Sequence, residues 1–251
     1  MILVPAAVPR TAPAFRRLID PRRLPSALGG LTVETLPPGV RVGQPPSPAG
    51  ESVTVVLSGR VRSAGRVLGP GEGLYHPPGS DCGLVVLPGA PAVVLTVRAG
   101  TSAGPPPAPA PSAVPLAAPP RRTGPLEGED GPAAGGPAGT AVHWLATAET
   151  VGARQVAVAA SGFAPGGSHE LHRHPHADQF FLVLAGGGRH LAATREVAVR
   201  PGDLVYVPAG EWHGFRAGPG HPTAAVFGHL GAASPARAGY QVRPAAEEAL
   251  R

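Results

Sequence analysis

His172 and His174 sit two apart in the run from Gly166 to His174, and His213 closes a later run that begins at Gly202. Side chains of a β-strand repeat their direction every second residue, so His172 and His174 point at one spot. A third imidazole that follows the turn Pro208-Ala209-Gly210 can close on that spot from a neighbouring strand. Three neutral imidazoles converging inside an apolar barrel make a site for a divalent metal ion.

The elements that must carry these residues read as short strands. The chain has 251 residues, with 36 Gly and 34 Pro, so long helices are disfavoured throughout. Residues 99–139 are mostly Pro, Ala, Gly and Ser with one acidic patch at Glu127-Gly128-Glu129-Asp130. That stretch cannot bury enough apolar surface to fold and reads as a linker. The flanking halves look like copies of one unit. Leu36 to Gly39 matches Phe163 to Gly166, and Val53 to Gly59 matches Phe180 to Gly186, both at an offset of 127. Gly71 to Cys82 matches Gly202 to His213 at an offset of 131. Three matches in order at nearly one offset indicate an internal duplication, with the difference absorbed in a turn. Val93 to Val97 and Ala224 to Phe227 are the expected late strands of the two copies. The helix candidates are a turn near Phe15 to Ile19 and a C-terminal segment from Pro244 to Leu250. Many short strands broken by Gly and Pro predict an all-β fold of double-sheet jelly rolls or small barrels.

Bulk properties remove several function classes. The net charge is +5 and every basic residue is Arg. The pairs Arg16-Arg17, Arg22-Arg23 and Arg121-Arg122 are scattered, and no helix presents a basic stripe, so no nucleic acid is expected as a partner. A single cysteine, Cys82, forbids an intramolecular disulfide. The N-terminus is a poor signal peptide, and no apolar run approaches the roughly 20 residues that span a bilayer. The expectation is a cytoplasmic protein with no membrane partner.

The spacing around the histidines resembles the cupin superfamily. Its first motif appears as Gly166, five residues, His172-Arg173-His174, four residues, Gln179, six residues, Gly186. Its second appears as Gly202, five residues, Pro208-Ala209-Gly210, two residues, His213, three residues, Ala217. Gln179 replaces the usual Glu and Ala217 the usual Asn. With the N-terminal copy, the chain resembles a bicupin: two tandem double-stranded β-helix (jelly-roll) barrels. The boundaries are 1–98 for a degenerate barrel, 99–139 for the linker, 140–232 for the metal-binding cupin and 233–251 for a tail.

The resemblance implies that His172, His174, Gln179 and His213 hold one divalent transition metal: Fe, Mn, Ni, Co, Cu or Zn. Asp178 is the rival to Gln179 as fourth ligand. A Gln leaves the metal's charge uncompensated, which favours a bound anion. Phe181 and Val183 alternate in phase with Gln179, and Tyr206 or Val207, Trp212 and Phe215 are expected around the mouth. Arg173, Arg189 and Arg216 are candidates to meet a substrate carboxylate. For proton transfer the candidates are His176 and Tyr206. His169, His190, His221 and His229 have no spacing argument and are expected at the surface or behind the ligands. In the N-terminal copy the ligand positions become Pro45, Ser47, Ser52 and Cys82, so that half is expected to hold no metal; His76 reads as a loop residue. The implied function is a metal-dependent enzyme on a small organic molecule, of dioxygenase or isomerase/cyclase type. The alternative is a non-catalytic binder or sensor. The resemblance also implies a homodimer built through the sheets, or the same pairing made internally by the two halves.

Overall fold

The computed structural model describes residues 1–5, 13–20, 28–43, 50–80, 83–100, 114–115 and 139–243. The first half contains β1 (Ile2–Val4), β2 (Ala14–Ile19), β3 (Gly29–Leu36), β4 (Arg41–Val42), β5 (Glu51–Ser58), β6 (Val61–Ser63), β7 (Arg66–Leu68), β8 (Gly73–His76), β9 (Leu84–Val86) and β10 (Ala92–Ala99). After β11 (Val114–Pro115), the second half contains β12 (Thr140–Ala146), α1 (Ala148–Val151), β13 (Val156–Phe163), β14 (Ser168–Arg173), β15 (Asp178–Ala185), β16 (Gly188–Ala192) and β17 (Glu196–Val199). It closes with β18 (Leu204–Val207), β19 (His213–Ala217), β20 (Thr223–Leu230), α2 (Pro235–Ala238) and β21 (Gln241–Val242).

Each half pairs a six-stranded antiparallel sheet with a smaller one. The first half has the orders β11-β8-β5-β10-β3-β2 and β4-β9-β6-β7, the second β1-β18-β15-β20-β13-β12 and β17-β16-β19-β14-β21. In the first barrel, Leu36, Val56, Leu74 and Val94 of the large sheet pack on Val61, Leu68, Leu84 and Val86 of the small one. In the second, Phe163, Phe181, Val183, Val205 and Val207 pack on Val199, Phe215 and Ala217. The fold is two jelly-roll barrels.

The outer faces of the two large sheets are buried as well. They meet in a shared core that includes Val53, Val55, Leu95 and Val97 from one half and Phe180, Leu182, Leu204 and Val226 from the other. Strands covered on both faces have no polar side to show. This is why Val53-Thr54-Val55-Val56-Leu57 and Phe180-Phe181-Leu182-Val183-Leu184 read as nearly unbroken apolar runs. The halves also exchange edge strands: β1 pairs with β18 and β11 with β8, which covers an open edge in each sheet.

A buried carboxylate clasps each half to the other. Glu51 accepts from the Tyr75 hydroxyl at 2.8 Å and from the backbone N–H groups of Arg154 (3.0 Å), Gln155 (2.7 Å) and Val156 (2.8 Å). Asp178 accepts from the Tyr206 hydroxyl at 2.8 Å, from Leu28 N–H at 2.7 Å and from Ala209 N–H at 2.9 Å. Glu51 and Asp178, and Leu28 and Gln155, are separated by the repeat's offset of 127, Tyr75 and Tyr206 by its 131. The duplication seen in the sequence thus recurs in space: each clasp uses an acid, a tyrosine hydroxyl and an N–H of the opposite half at equivalent positions. Burial and the adjacent Glu51 carboxylate push the Tyr75 hydroxyl pKa up, which keeps its proton in place as the donor.

Three sequence expectations change. Phe15 to Ile19 forms the edge strand β2 rather than a helical turn, because it pairs along β3. His76 is the buried end of β8 rather than a loop residue, held there by pairing with Ser52. The C-terminal segment does not trail away: α2 and β21 fold back, and β21 pairs with β14. The helix expected over Pro244 to Leu250 lies outside the described residues. Among the described residues, no helix is long and apolar enough to cross a membrane.

Candidate metal centre

The trio comes from the smaller sheet of the second barrel. His172 on β14 lies directly across from His213 on β19, just past a register shift between His169 and His172. His174 follows β14, where its carbonyl accepts from Gly210 N–H at 2.9 Å and so holds the turn that leads to His213. One nitrogen from each imidazole lies within 4.8 Å of the others, and all three side chains are buried.

The remaining nitrogens fix the tautomers. Nδ1 of His172 is 2.8 Å from the Glu170 carbonyl, Nδ1 of His174 2.6 Å from the Gly239 carbonyl, and Nδ1 of His213 2.9 Å from the Glu211 carbonyl. A carbonyl only accepts, so each Nδ1 carries the proton and each Nε2 offers its lone pair to the centre. Burial pushes the pKa of His172 and of His213 well below the usual value, and the neighbouring imidazoles push the same way. Burial also lowers that of His174. The trio is therefore neutral, as metal ligation requires.

Gln179 faces the same space from β15 in the large sheet. Its Oε1 is 3.1 Å from His213 Nε2, and its side chain also hydrogen-bonds His174. With His213 protonated on Nδ1, that contact sets one bare acceptor against another. A cation between them relieves the repulsion; otherwise the amide must turn its NH₂ to the ring. Asp178, next along the strand, points to the opposite face, where both its oxygens are occupied by the clasp. Three imidazoles and one neutral amide make a donor set that fits a divalent transition metal. In the first half, no such cluster of His, Cys, Asp or Glu occurs among the described residues; Pro45, Ser47 and Cys82 lie outside them.

Other side chains surround the trio. His229, also on the inner face of the large sheet, is 2% exposed, and neither of its ring nitrogens has a hydrogen-bond partner. Its ring centre is 4.4 Å from that of His174, with Trp144 at 5.8 Å and Phe227 at 6.4 Å. Burial pushes its pKa well down. His190 is stacked behind His213 at 6.2 Å, and burial pushes its pKa down to about 4. Tyr240, brought back by the C-terminal segment, stacks on His172 at 4.8 Å. Its hydroxyl donates to Glu170 at 2.5 Å and lies 3.2 Å from His169 Nε2.

The sequence reading placed some residues correctly and others not. Phe181, Val183, Val207 and Phe215 do line the barrel interior. Tyr206 does not: it alternates out of phase, packs in the core between the barrels and binds Asp178, so it cannot meet a substrate beside the trio. His176 is exposed in the turn after β14 and lies against Gly239 rather than in the chamber. Arg189 and Arg216 point outward and share Glu196 at 3.6 and 3.7 Å, while Arg173 lies over the Trp212 ring at 4.7 Å. His190 and His229 were expected at the surface or behind the ligands. Their inward phase on β16 and β20, shared with Phe215 and Phe227, was the available signal. Tyr240 had no signal, because only the folded-back tail brings it there.

Residues 161–227 match the family model described as a cupin domain. The C-terminal barrel is a cupin domain. Solved structures extend the likeness across both halves of the chain. Oxalate decarboxylase from Bacillus subtilis, whose Mn(II) centres have been characterised, superposes with a TM-score of 0.64 at 18% identity, covering 91% of this chain and 74% of that one. The oxalate decarboxylase–formate complex from Lactobacillus farciminis gives 0.61 at 14% identity, over 86% and 81% of the two chains. A cupin 2 conserved barrel domain protein from Leptotrichia buccalis gives 0.56 at 12% identity, over 86% and 88%. At these identities the likeness is one of fold, and the fold is that of a bicupin. Among curated proteins, 1-methylthio-D-xylulose 5-phosphate methylsulfurylase from Rhodospirillum rubrum is 43% identical over 53 residues, which is 21% of this chain and 33% of that protein. The match thus spans a third of the relative's length.

Proposed function

We propose that this bicupin is a metal-dependent enzyme acting on a small organic molecule in its C-terminal barrel, with His172, His174, Gln179 and His213 as the metal ligands. One observation carries the reading: three buried imidazoles, each locked by a backbone carbonyl into the tautomer that ligates, converge with a neutral amide. A divalent cation held there supplies Lewis acidity toward a carbonyl or enolate oxygen or toward O₂, and no ligand charge offsets its own.

The chain's own residues define the rest. Phe181, Phe227 and Trp144 surround the trio's side of the barrel with aromatic faces, which suit a planar, unsaturated substrate. His229, neutral and unpartnered beside His174, can donate from one nitrogen and accept a proton at the other. It takes the role expected of Tyr206 and His176. Tyr240 keeps its proton, because burial and Glu170 push its pKa up; it covers His172 as a hydrogen-bonding wall rather than a base. This set serves enolate chemistry, either isomerisation or cyclisation, or oxygenation of an enol.

The test is turnover of enolisable ketones and α-keto acids by protein loaded with each of Mn, Fe, Co, Ni, Cu and Zn, with dissolved oxygen followed at the same time. The account expects metal-dependent turnover that His172→Ala abolishes and His229→Phe impairs without loss of metal. Oxygen uptake assigns the dioxygenase branch, and its absence the isomerase or cyclase branch. A second reading has an observation of its own. The carboxylates nearest the trio are engaged elsewhere, Asp178 in the clasp, Glu170 with Tyr240 and Glu211 with the Met1 amine. Saturable ligand binding with no turnover under any metal would make the protein a binder and contradict the enzyme.

A further inference from the structure

The first barrel has not merely lost a metal site; the equivalent space is lined by different chemistry. Thr54, Thr96 and Thr32 are cross-strand neighbours in one row across β5, β10 and β3. His76, Ser52 and Arg98 form the next row across β8, β5 and β10. Both rows lie in phase with Val56, Leu74 and Val94, so they line the inside of the barrel beyond its apolar core. They occupy the end that holds the trio in the other half. Ser52 stands where Gln179 stands and Thr54 where Phe181 stands, at the offset of 127; Thr96 replaces Phe227 and Arg98 replaces His229, at 131.

The substitutions share a direction. Two aromatic walls have become hydroxyls, and a neutral imidazole has become a guanidinium. These side chains are not surface residues: Thr32, Ser52, Thr54, Thr96 and His76 are all less than 8% exposed. Thr32 Oγ1 is buried without a hydrogen-bond partner. A buried hydroxyl left unpaired costs about 1–3 kcal/mol, so a barrel interior that orphans one beside a row of others is built for a ligand that pairs them. Arg98 is half-buried and acts on Glu34, a buried side chain on the same inner face, in phase with Thr32 and Leu36; burial pushes the Glu34 pKa up, toward the protonated acid that can itself donate. A guanidinium among hydroxyl donors is the chemistry that receives an oxyanion.

We propose that the N-terminal barrel binds a small oxyanion, its charged oxygens on Arg98 and its remaining oxygens on the row Thr32, Thr96 and Thr54. The shared chemistry is a compact, oxygen-rich anion, and a carboxylate or a phosphate presents it. The test uses the full chain with ¹³C-labelled threonine methyls, titrated separately with citrate and with inorganic phosphate. The proposal expects saturable shifts at Thr32, Thr54 and Thr96 with at least one of them, while Thr147 and Thr223 of the second half stay still. Whichever anion saturates identifies the headgroup. Arg98→Met and Thr96→Val, which keep side-chain bulk, should each weaken binding about tenfold or more, the loss of one charge-assisted or buried hydrogen bond. Both should keep the parent's thermal unfolding midpoint and its resolved methyl signals from the unmutated threonines of the first barrel, which shows that this barrel folds; if Arg98→Met does not fold, Thr96→Val decides. The titration repeated on His213→Ala should give the same shifts, which separates this site from the metal centre. No saturable shift with either anion, an affinity unchanged in both Arg98→Met and Thr96→Val, or shifts that vanish in His213→Ala would overturn the proposal.

Discussion

Three backbone carbonyls decide how the imidazoles of the second barrel are used, because each takes the Nδ1 proton and leaves Nε2 bare. The proposed ligand set carries no negative charge, and that has a measurable consequence. Gln179→Glu should tighten metal binding by about tenfold or more in chelator competition, since changes around a metal's ligands shift affinity on that scale. Unchanged affinity would remove Gln179 from the ligand set. Acid acts on the same residues. Burial disfavours the imidazolium in the folded state, so the unfolded chain takes up protons below pH 6.5 while the folded chain does not. The metal-free protein should hold its full stability above that pH and lose it as pH falls toward 4. His190 alone, pushed from 6.5 down to about 4, accounts for about 3 kcal/mol over that window. Urea unfolding at several pH values checks this; a flat profile between pH 7 and 4 would contradict it.

At the scale of elements, the trio and the strands that carry it were legible because spacing and the period of two are local properties of the chain. His172 and His174 repeat with the strand, and the Pro208-Ala209-Gly210 turn announces His213. Tyr206 was misread because its strand is buried on both faces, so an aromatic there gives no hint of which side it serves. The docking of the tail was not legible because α2 and β21 are short and their place is set by pairing with β14. Gly239 makes that docking matter. Its φ of 74° and ψ of 156° belong to glycine, and its carbonyl orients His174. Gly239→Ala should therefore cost about 1–3 kcal/mol and also lower metal affinity, read by thermal unfolding and chelator competition. Stability lost with affinity untouched would mean that the tail does not support the site. The clasps give a parallel case. Asp178→Asn keeps the shape but removes the charge that binds three donors, and should destabilise by about 2–4 kcal/mol. Asp178 also anchors Ala209 ahead of His213, so metal retention should fall with it. Glu51→Gln should destabilise as much and leave metal retention alone.

At the scale of the whole molecule, one duplicated unit is built twice with different side chains in its interior. The large sheets cover each other, β1 and β11 each pair with a strand of a large sheet, and the two carboxylate clasps share a tyrosine hydroxyl and an equivalent backbone N–H. This is the pairing expected of two barrels, made within one chain. The offsets of 127 and 131 revealed the duplication in advance, because matched strands keep their spacing. What the sequence did not show was the row of hydroxyls inside the first barrel, since Thr32, Thr54 and Thr96 become neighbours only when three strands are set side by side. The metal content of the purified, untagged protein tests the central claim most directly. The account predicts one divalent transition metal per chain, lost in His172→Ala and in His213→Ala and retained in Cys82→Ser. Two metals per chain, or one that survives loss of His172 and His213, would contradict it.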